Sequence, residues 1–136
     1  MPSAGYSGTP LAQKLGLKPG MRSWFCGMPD SVRAEIDPSA LGVEEYEAAA
    51  AGLQAAHIFV TERARLDREL DALLALIDRN GFIWVSWPKK SARMPTDLTE
   101  DRIREVALPK GLVDIKVCAV DDVWSGLKLV IRRENR

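Results

Sequence analysis

The sequence predicts a three-layer Rossmann-like α/β fold, built on a mostly parallel sheet of five or six strands with an antiparallel C-terminal strand pair. Three observations predict it. Between residues 57 and 120, short apolar runs alternate with stretches whose apolar residues repeat at helical spacing, which reads as strand, helix, strand, helix, strand. Right-handed crossovers then set these strands parallel, with helices packed on the sheet. The last two apolar runs are separated only by residues 121–126, too few for a crossover, so that pair is antiparallel. A chain of 136 residues has the size of one domain. At that size roughly two-thirds of its surface can be buried, so the core needs no disulfide or metal staple.

Taken in order, the elements follow from local chemistry. Residues 1–8 are expected to form a loose arm and residues 9–136 the α/β domain. Thr9 caps a short opening helix, Pro10 suits its first position, and Gly16 closes it in a left-handed conformation. Lys18-Pro19-Gly20 turns the chain into a first strand over residues 21–26, which ends at Gly27-Met28-Pro29-Asp30. Asp30 caps a brief helix reaching Ile36, where Asp37-Pro38 stops it. Residues 42–56 read two ways. Val43 to Tyr46 suits a short edge strand, whereas Glu44-Glu45 and the alanine run 48–51 favour helix by propensity; the edge strand is the expectation adopted.

Beyond that point the pattern is strong. His57-Ile58-Phe59-Val60 is a strand covered on both faces. Thr61 caps the next helix, whose apolar stripe is Leu66, Leu70, Leu73, Leu74 and Ile77, and Asn80-Gly81 ends it. Residues 82–87 form another strand, stopped by Pro88, and residues 89–98 a polar loop. Thr99 caps a helix with Glu100 and Asp101 in its positively polarised first turn, and Pro109 and Gly111 end that helix. Final strands follow over residues 113–120 and 127–132.

Composition excludes several classes. Hydrophobic residues at 46% and charged residues at 28% are globular values, which argues against disorder. Nineteen basic and nineteen acidic residues cancel, so neither nucleic acid nor membrane is an expected partner. No stretch approaches the roughly 18 apolar residues of a membrane span, and the first residues lack the pattern of a secretory signal. A cytoplasmic location is therefore expected. Cys26 and Cys118, each in an apolar segment, read as buried thiols rather than a disulfide. One histidine and two distant cysteines make no metal site.

In open parallel sheets, ligands collect outside the carboxyl ends of the strands. That rule selects Asp30, Thr61 and the pair Lys89-Lys90 as candidate ligand-binding residues. Two ammonium groups just past a strand end can hold a phosphate or carboxylate, although solvated lysines on a loop look the same in sequence. Thr96 and Asp97 can orient a ligand hydroxyl or serve as turn and cap residues. Trp124 and Ser125, placed in the last connection, can cover a ligand or partner, or fold back on the sheet. Trp84 and Trp87 fall on opposite faces of their strand and read as core. His57 reads as a packed residue with no nucleophile beside it, and Asp121-Asp122 as a solvated turn. No catalytic residue is assigned.

Residues 4–12, Lys18-Pro19-Gly20-Met21, Trp84-Val85-Ser86-Trp87-Pro88-Lys89-Lys90, residues 96–100, and residues 118–127 with Trp124-Ser125-Gly126 form longer runs. Together they resemble a bacterial domain-of-unknown-function family, domain of unknown function 3052. That resemblance covers nearly the whole chain and implies no activity. More distantly, residues 57–132 are similar to the latter half of class I S-adenosylmethionine-dependent methyltransferases. The similarity implies that the final strand inserts between its two predecessors, through Leu127, Leu129, Val130 and Ile131. It also implies a glycine-rich turn after the first strand and an acid ending the second. Here the turn is Gly27-Met28-Pro29-Asp30, with one glycine and a donor-less proline, and the acid is Glu44, Glu45 or Glu47. The chain is also one strand–helix unit short. No cofactor is therefore expected, with S-adenosylmethionine kept open. The sequence favours a non-catalytic module that binds a small or anionic ligand, a protein partner or a second copy of itself. The alternative is a reduced methyltransferase-like enzyme with an altered cofactor pocket.

Overall fold

A computed structural model describes residues 9–136; the expected arm, residues 1–8, lies outside the described residues. Helix α1 (Leu11–Lys14) leads through strand β1 (Arg22–Cys26) to helices α2 (Asp30–Ile36) and α3 (Pro38–Leu41), then strands β2 (Glu44–Tyr46) and β3 (Leu53–Phe59). Helix α4 (Arg63–Leu74), strand β4 (Ile77–Pro88), helix α5 (Glu100–Ala107), and strands β5 (Leu112–Ala119) and β6 (Trp124–Ile131) follow. The strands form a six-stranded sheet in the order β2-β1-β3-β4-β6-β5. β1 runs parallel to β2 and β3, and β3 to β4, while β6 is antiparallel to both β4 and β5. The last strand thus inserts between its predecessors.

Period-2 alternation divides the core between the two faces. On one face, Leu66, Leu70 and Leu73 of α4 and Ile103 of α5 pack on Ile58 and Ile83. On the other, Leu11 and Leu15 of α1 and Val32 and Ile36 of α2 pack on Phe59 and Trp84. Each of these large side chains stabilises the fold by about 1.5–3 kcal/mol through burial. Trp84 and Trp87 fall on opposite faces and both are buried, as their spacing predicts.

Local signals were overridden at several points. Thr9 does not cap α1: Pro10 occupies that position and no side chain caps it. Asp30 is the first residue of α2 rather than its cap, which is Pro29. The expected edge strand is present as β2, but β3 begins at Leu53, so His57 lies in mid-strand. The alanine run supplies small side chains for the short return from β2 to β3, with Ala49 packed against the core. That return stands where a further strand–helix unit would cross.

The helical stripe also reaches one turn too far. α4 stops at Leu74, and Ile77 opens β4, which runs without interruption through Asn80-Gly81. Leu73 and Ile77 are both buried, so a helix and a helix–turn–strand satisfy the same periodicity. Gly81 is needed for chain approach, not for a helix end. A Cβ there would lie 2.8 Å from the Gln54 carbonyl oxygen, where the β3–β4 register shifts. Cys26 and Cys118 are free thiols, but each is half-buried rather than buried. Among the described residues no helix is long and apolar enough to cross a membrane.

Candidate functional site

The direction of strand addition reverses at β1, with β2 on one side and β3 on the other. The carboxyl ends of β1, β2, β3 and β4 therefore form the rim where an open sheet of this kind takes its ligands. At the end of β1, Gly27 has φ of +70°, and a Cβ there would lie 3.0 Å from the Phe59 carbonyl oxygen. This glycine serves the close approach of β1 to β3. Met28 and Pro29 then lead directly into α2, with Asp30 in its first turn.

Three acids compete at the end of β2, and the structure separates them. Glu45 accepts two hydrogen bonds from the Arg33 guanidinium, at 2.9 and 2.7 Å. That bidentate pairing holds the Glu45 carboxyl below its ordinary range and raises Arg33. Glu44 stands in register with Arg22, at the opposite end of the strand from the rim. Glu47 directly follows β2 on the rim, exposed, and among the described residues no hydrogen bond or ion pair engages it.

The ends of β3 and β4 are joined by the polar loop. The Thr96 hydroxyl donates to the Thr61 carbonyl at 2.6 Å, and the Asp97 N–H donates to the same oxygen. Asp97 Oδ1 accepts the Arg63 N–H at 2.7 Å. This contact corrects the expectation for Thr61: Glu62 holds the N-cap position of α4, and Asp97, 34 residues on, caps the helix from outside. Replacing Asp97 by alanine should cost about 0.5–2 kcal/mol, with asparagine restoring most of it, as read by urea denaturation. Thr99 does cap α5, accepting the Arg102 N–H at 3.2 Å.

Past β4, Lys89 and Lys90 line a cleft of about 420 Å³ together with Trp87, Met94, Thr96 and Glu100. Among the described residues neither lysine has an ion-pair partner, while Glu100 is paired with Arg104. Asp97 instead faces a second cleft, of about 550 Å³, between α4 and α5, where Arg63 and Glu105 pair across 2.7 Å. The structure thus brings Lys89, Lys90 and Thr96 together, uses Asp97 as a cap, and leaves Asp30 outside both clefts.

Trp124 and Ser125 belong to β6 rather than to the connection. The connection shrinks because Asp121 Oδ1 accepts the Val123 and Trp124 N–H groups at 2.9 and 2.8 Å and tightens the turn. The Trp124 ring meets the Phe59 ring edge-on at 5.3 Å, and Ser125 stands in register with Trp87 and Ala119. Beneath the rim, His57 Nε2 and Ser86 Oγ share a hydrogen bond of 2.6 Å. His57 is buried and stacks on Phe59 with centroids 4.3 Å apart. Burial pushes its pKa down to about 3, so the ring is neutral at pH 7. The Ser86 contact corrects the expectation that no nucleophile stands beside His57, but with both side chains buried the pair is a structural hydrogen bond. Among the described residues no cluster of ligating side chains could hold a metal ion.

Two parts of the rim carry no sequence signal of their own. Met94 joins the lysine cleft from an aperiodic loop. Cys26, at the end of β1, lies 3.4 Å from the Arg65 guanidinium, which also pairs with Glu69 at 3.6 Å.

No family model matches the sequence, and no curated protein matches it. Solved structures do match. Fibrillarin from Aeropyrum pernix, in complex with natively bound S-adenosyl-L-methionine, shares 11% identity at a TM-score of 0.55, over 88% of this chain and 73% of its own. A SAM-dependent methyltransferase from Aquifex aeolicus shares 14% at 0.58, over 89% and 88%. OxaC, in complex with SAH and oxaline, shares 11% at 0.62, over 91% of this chain and 46% of its own. At such identities the likeness shows the fold, which is that of class I S-adenosylmethionine-dependent methyltransferases in a shortened form.

Proposed function

We propose that this chain binds an S-adenosyl ligand at the carboxyl rim of its sheet, as a reduced methyltransferase-like enzyme with an altered cofactor pocket. The observation that carries the reading is Glu47, left unpaired beside the topological switch point after Arg33 has taken Glu45. A carboxylate there is placed to accept hydrogen bonds from the two hydroxyls of a ribose. The donor set fits the ribose half of the group. It does not supply the usual glycine cradle for the amino-acid half, because Gly27 abuts Phe59 and Pro29 has no N–H. When bound, S-adenosylmethionine supplies an electrophilic methyl group. The solved neighbours with bound S-adenosylmethionine or S-adenosylhomocysteine support the same ligand class.

The rest of the rim fits the acceptor side. Lys89 and Lys90 offer two uncompensated positive charges, with Trp87 and Met94 as an apolar wall, so the cleft suits an anionic small molecule. Thr61 supports the cleft through its carbonyl bond to Thr96, and Trp124 and Ser125 pair with Pro88 and Trp87 beside it, while Asp30 stands apart. Glu47→Gln should weaken S-adenosylhomocysteine binding about tenfold or more, since a hydrogen bond to a charged group contributes about 1.5–3 kcal/mol. Equilibrium dialysis with the labelled ligand reads this, and equal affinity in both proteins would sink the assignment of Glu47.

A second reading, a non-catalytic module binding a small ligand or a protein partner, is favoured by one observation. The described rim offers no exposed nucleophile–base pair, because His57 and Ser86 are both buried. Turnover separates the two readings: binding without methyl release to any anionic acceptor leaves the module.

A further inference from the structure

Away from the rim, four lysines meet where α1 and the turn after it lie against β5 and β6. Lys116 and Lys128 are directly opposite each other across the antiparallel β5–β6 pair. Like charges in that position repel and destabilise a sheet. Lys116 Nζ donates to the Lys14 carbonyl at 3.0 Å, and Lys14 Nζ reaches back to the Ala119 carbonyl at 3.4 Å. Lys128 Nζ lies over the Phe82 ring, 4.3 Å from its centroid, and would be 3.3 Å from a Cβ on Gly16. Lys18 follows, exposed, in the turn after Gly16. Burial lowers the Lys128 pKa, and the charges of Lys116 and Lys18 lower it further.

Among the described residues, ion pairs engage Arg33, Arg63, Arg65, Arg104 and Lys110, and none of the four lysines. The two carbonyl contacts supply partial charges and fix the ammonium groups in place. A chain whose formal net charge is +0 has therefore gathered four lysines in one area, two of them held by carbonyl contacts.

We propose that this patch binds a diphosphate group. A terminal phosphoryl carries about −1.5 to −2 near pH 7 and an inner one about −1, so a diphosphate offsets most of the positive charge of four ammonium groups. The group's size points the same way. The four lysines sit on one helix end, one turn and one cross-strand pair, whose Cβ atoms lie about 4.5–5.5 Å apart. A site centred on one cross-strand pair suits two adjacent phosphoryl groups better than an extended nucleic-acid backbone.

The test uses inorganic pyrophosphate first, at constant ionic strength set by sodium chloride, with thermal melting and amide shifts in a ¹⁵N-labelled sample. The expected result is a saturable rise in Tm, with the largest shifts at Gly16, Lys116 and Lys128, and at least tenfold weaker binding in K116Q/K128Q. K18Q, altered at an exposed side chain, should also weaken binding severalfold and reports even if the double variant fails to fold. A nucleoside diphosphate arm distinguishes the sources: tighter binding than pyrophosphate assigns the group to a nucleotide, and equal binding to free diphosphate. A pyrophosphate response that is unsaturable, or unchanged in both variants, overturns the proposal. So does binding of a single-stranded oligonucleotide with pyrophosphate silent.

Discussion

Trp84→Ala should destabilise the fold by about 3–5 kcal/mol, the range for removing a fully buried aromatic side chain. Trp84 is 1% exposed at the middle of the sheet. Its indole N–H donates to the Leu15 carbonyl at 2.8 Å, so a single side chain fixes α1 to β4. Alanine removes both the packing and the donor, and the cavity opens between two elements that share few other contacts. Trp84→Phe should cost less, because it keeps most of the volume and loses the N–H. The loss is a large share of the roughly 5–15 kcal/mol by which domains are stable. Urea denaturation reads it as a drop in midpoint at unchanged slope. A loss below about 1 kcal/mol would contradict the packing described for this face.

Acid should begin to destabilise the protein before its carboxylates titrate, because of His57. The folded ring has a pKa of about 3, lowered by burial, against an ordinary 6.5. A depressed pKa means that the unfolded chain binds the proton first. The stability contributed by the neutral ring is fully present above pH 6.5, and it falls as pH drops from there toward 3. The slope in that window is about 1.4 kcal/mol per pH unit. Between pH 6.5 and 5 the effect stands apart from Glu45, which the Arg33 pairing keeps ionised to lower pH. Melting temperatures of the wild type should therefore fall through this range, while those of His57→Gln should stay nearly flat. Parallel curves would show that the burial of His57 does not govern acid stability.

The sheet was legible because buried parallel strands leave unbroken apolar runs, such as Ile58 to Val60 and Phe82 to Val85. The antiparallel ending followed from connection length, and the two buried tryptophans from period-2 spacing. Where the sequence misled, two structures satisfied one local pattern. Leu73 and Ile77 suit a continuous helix as well as a helix, a turn and a strand. Asn80-Gly81 looks like a helix end, yet Gly81 is required by a carbonyl of the neighbouring strand. Such contacts between distant residues leave no local trace.

The candidate site was legible in place more than in role. The carboxyl rim, Lys89 and Lys90 follow from strand ends alone, and Thr96 from its place closing the loop that follows them. A turn or cap role for Asp97 was legible, but that the helix it caps begins at Arg63 depends on how the loop folds back. The choice among Glu44, Glu45 and Glu47 required knowing that Arg33 comes within 2.7 Å of Glu45. The four-lysine patch draws on residues 14, 18, 116 and 128, which no window along the chain would group.

Calorimetric titration of the intact chain with S-adenosylmethionine and S-adenosylhomocysteine, at two temperatures, tests the central claim most directly. Saturable heat with both ligands is the predicted result, together with a Tm that rises with ligand by about 2.7 kcal/mol of stabilisation at 100 times Kd. Absence of heat at both temperatures, with no change in Tm, would contradict the claim and leave a methyltransferase fold that takes some other ligand.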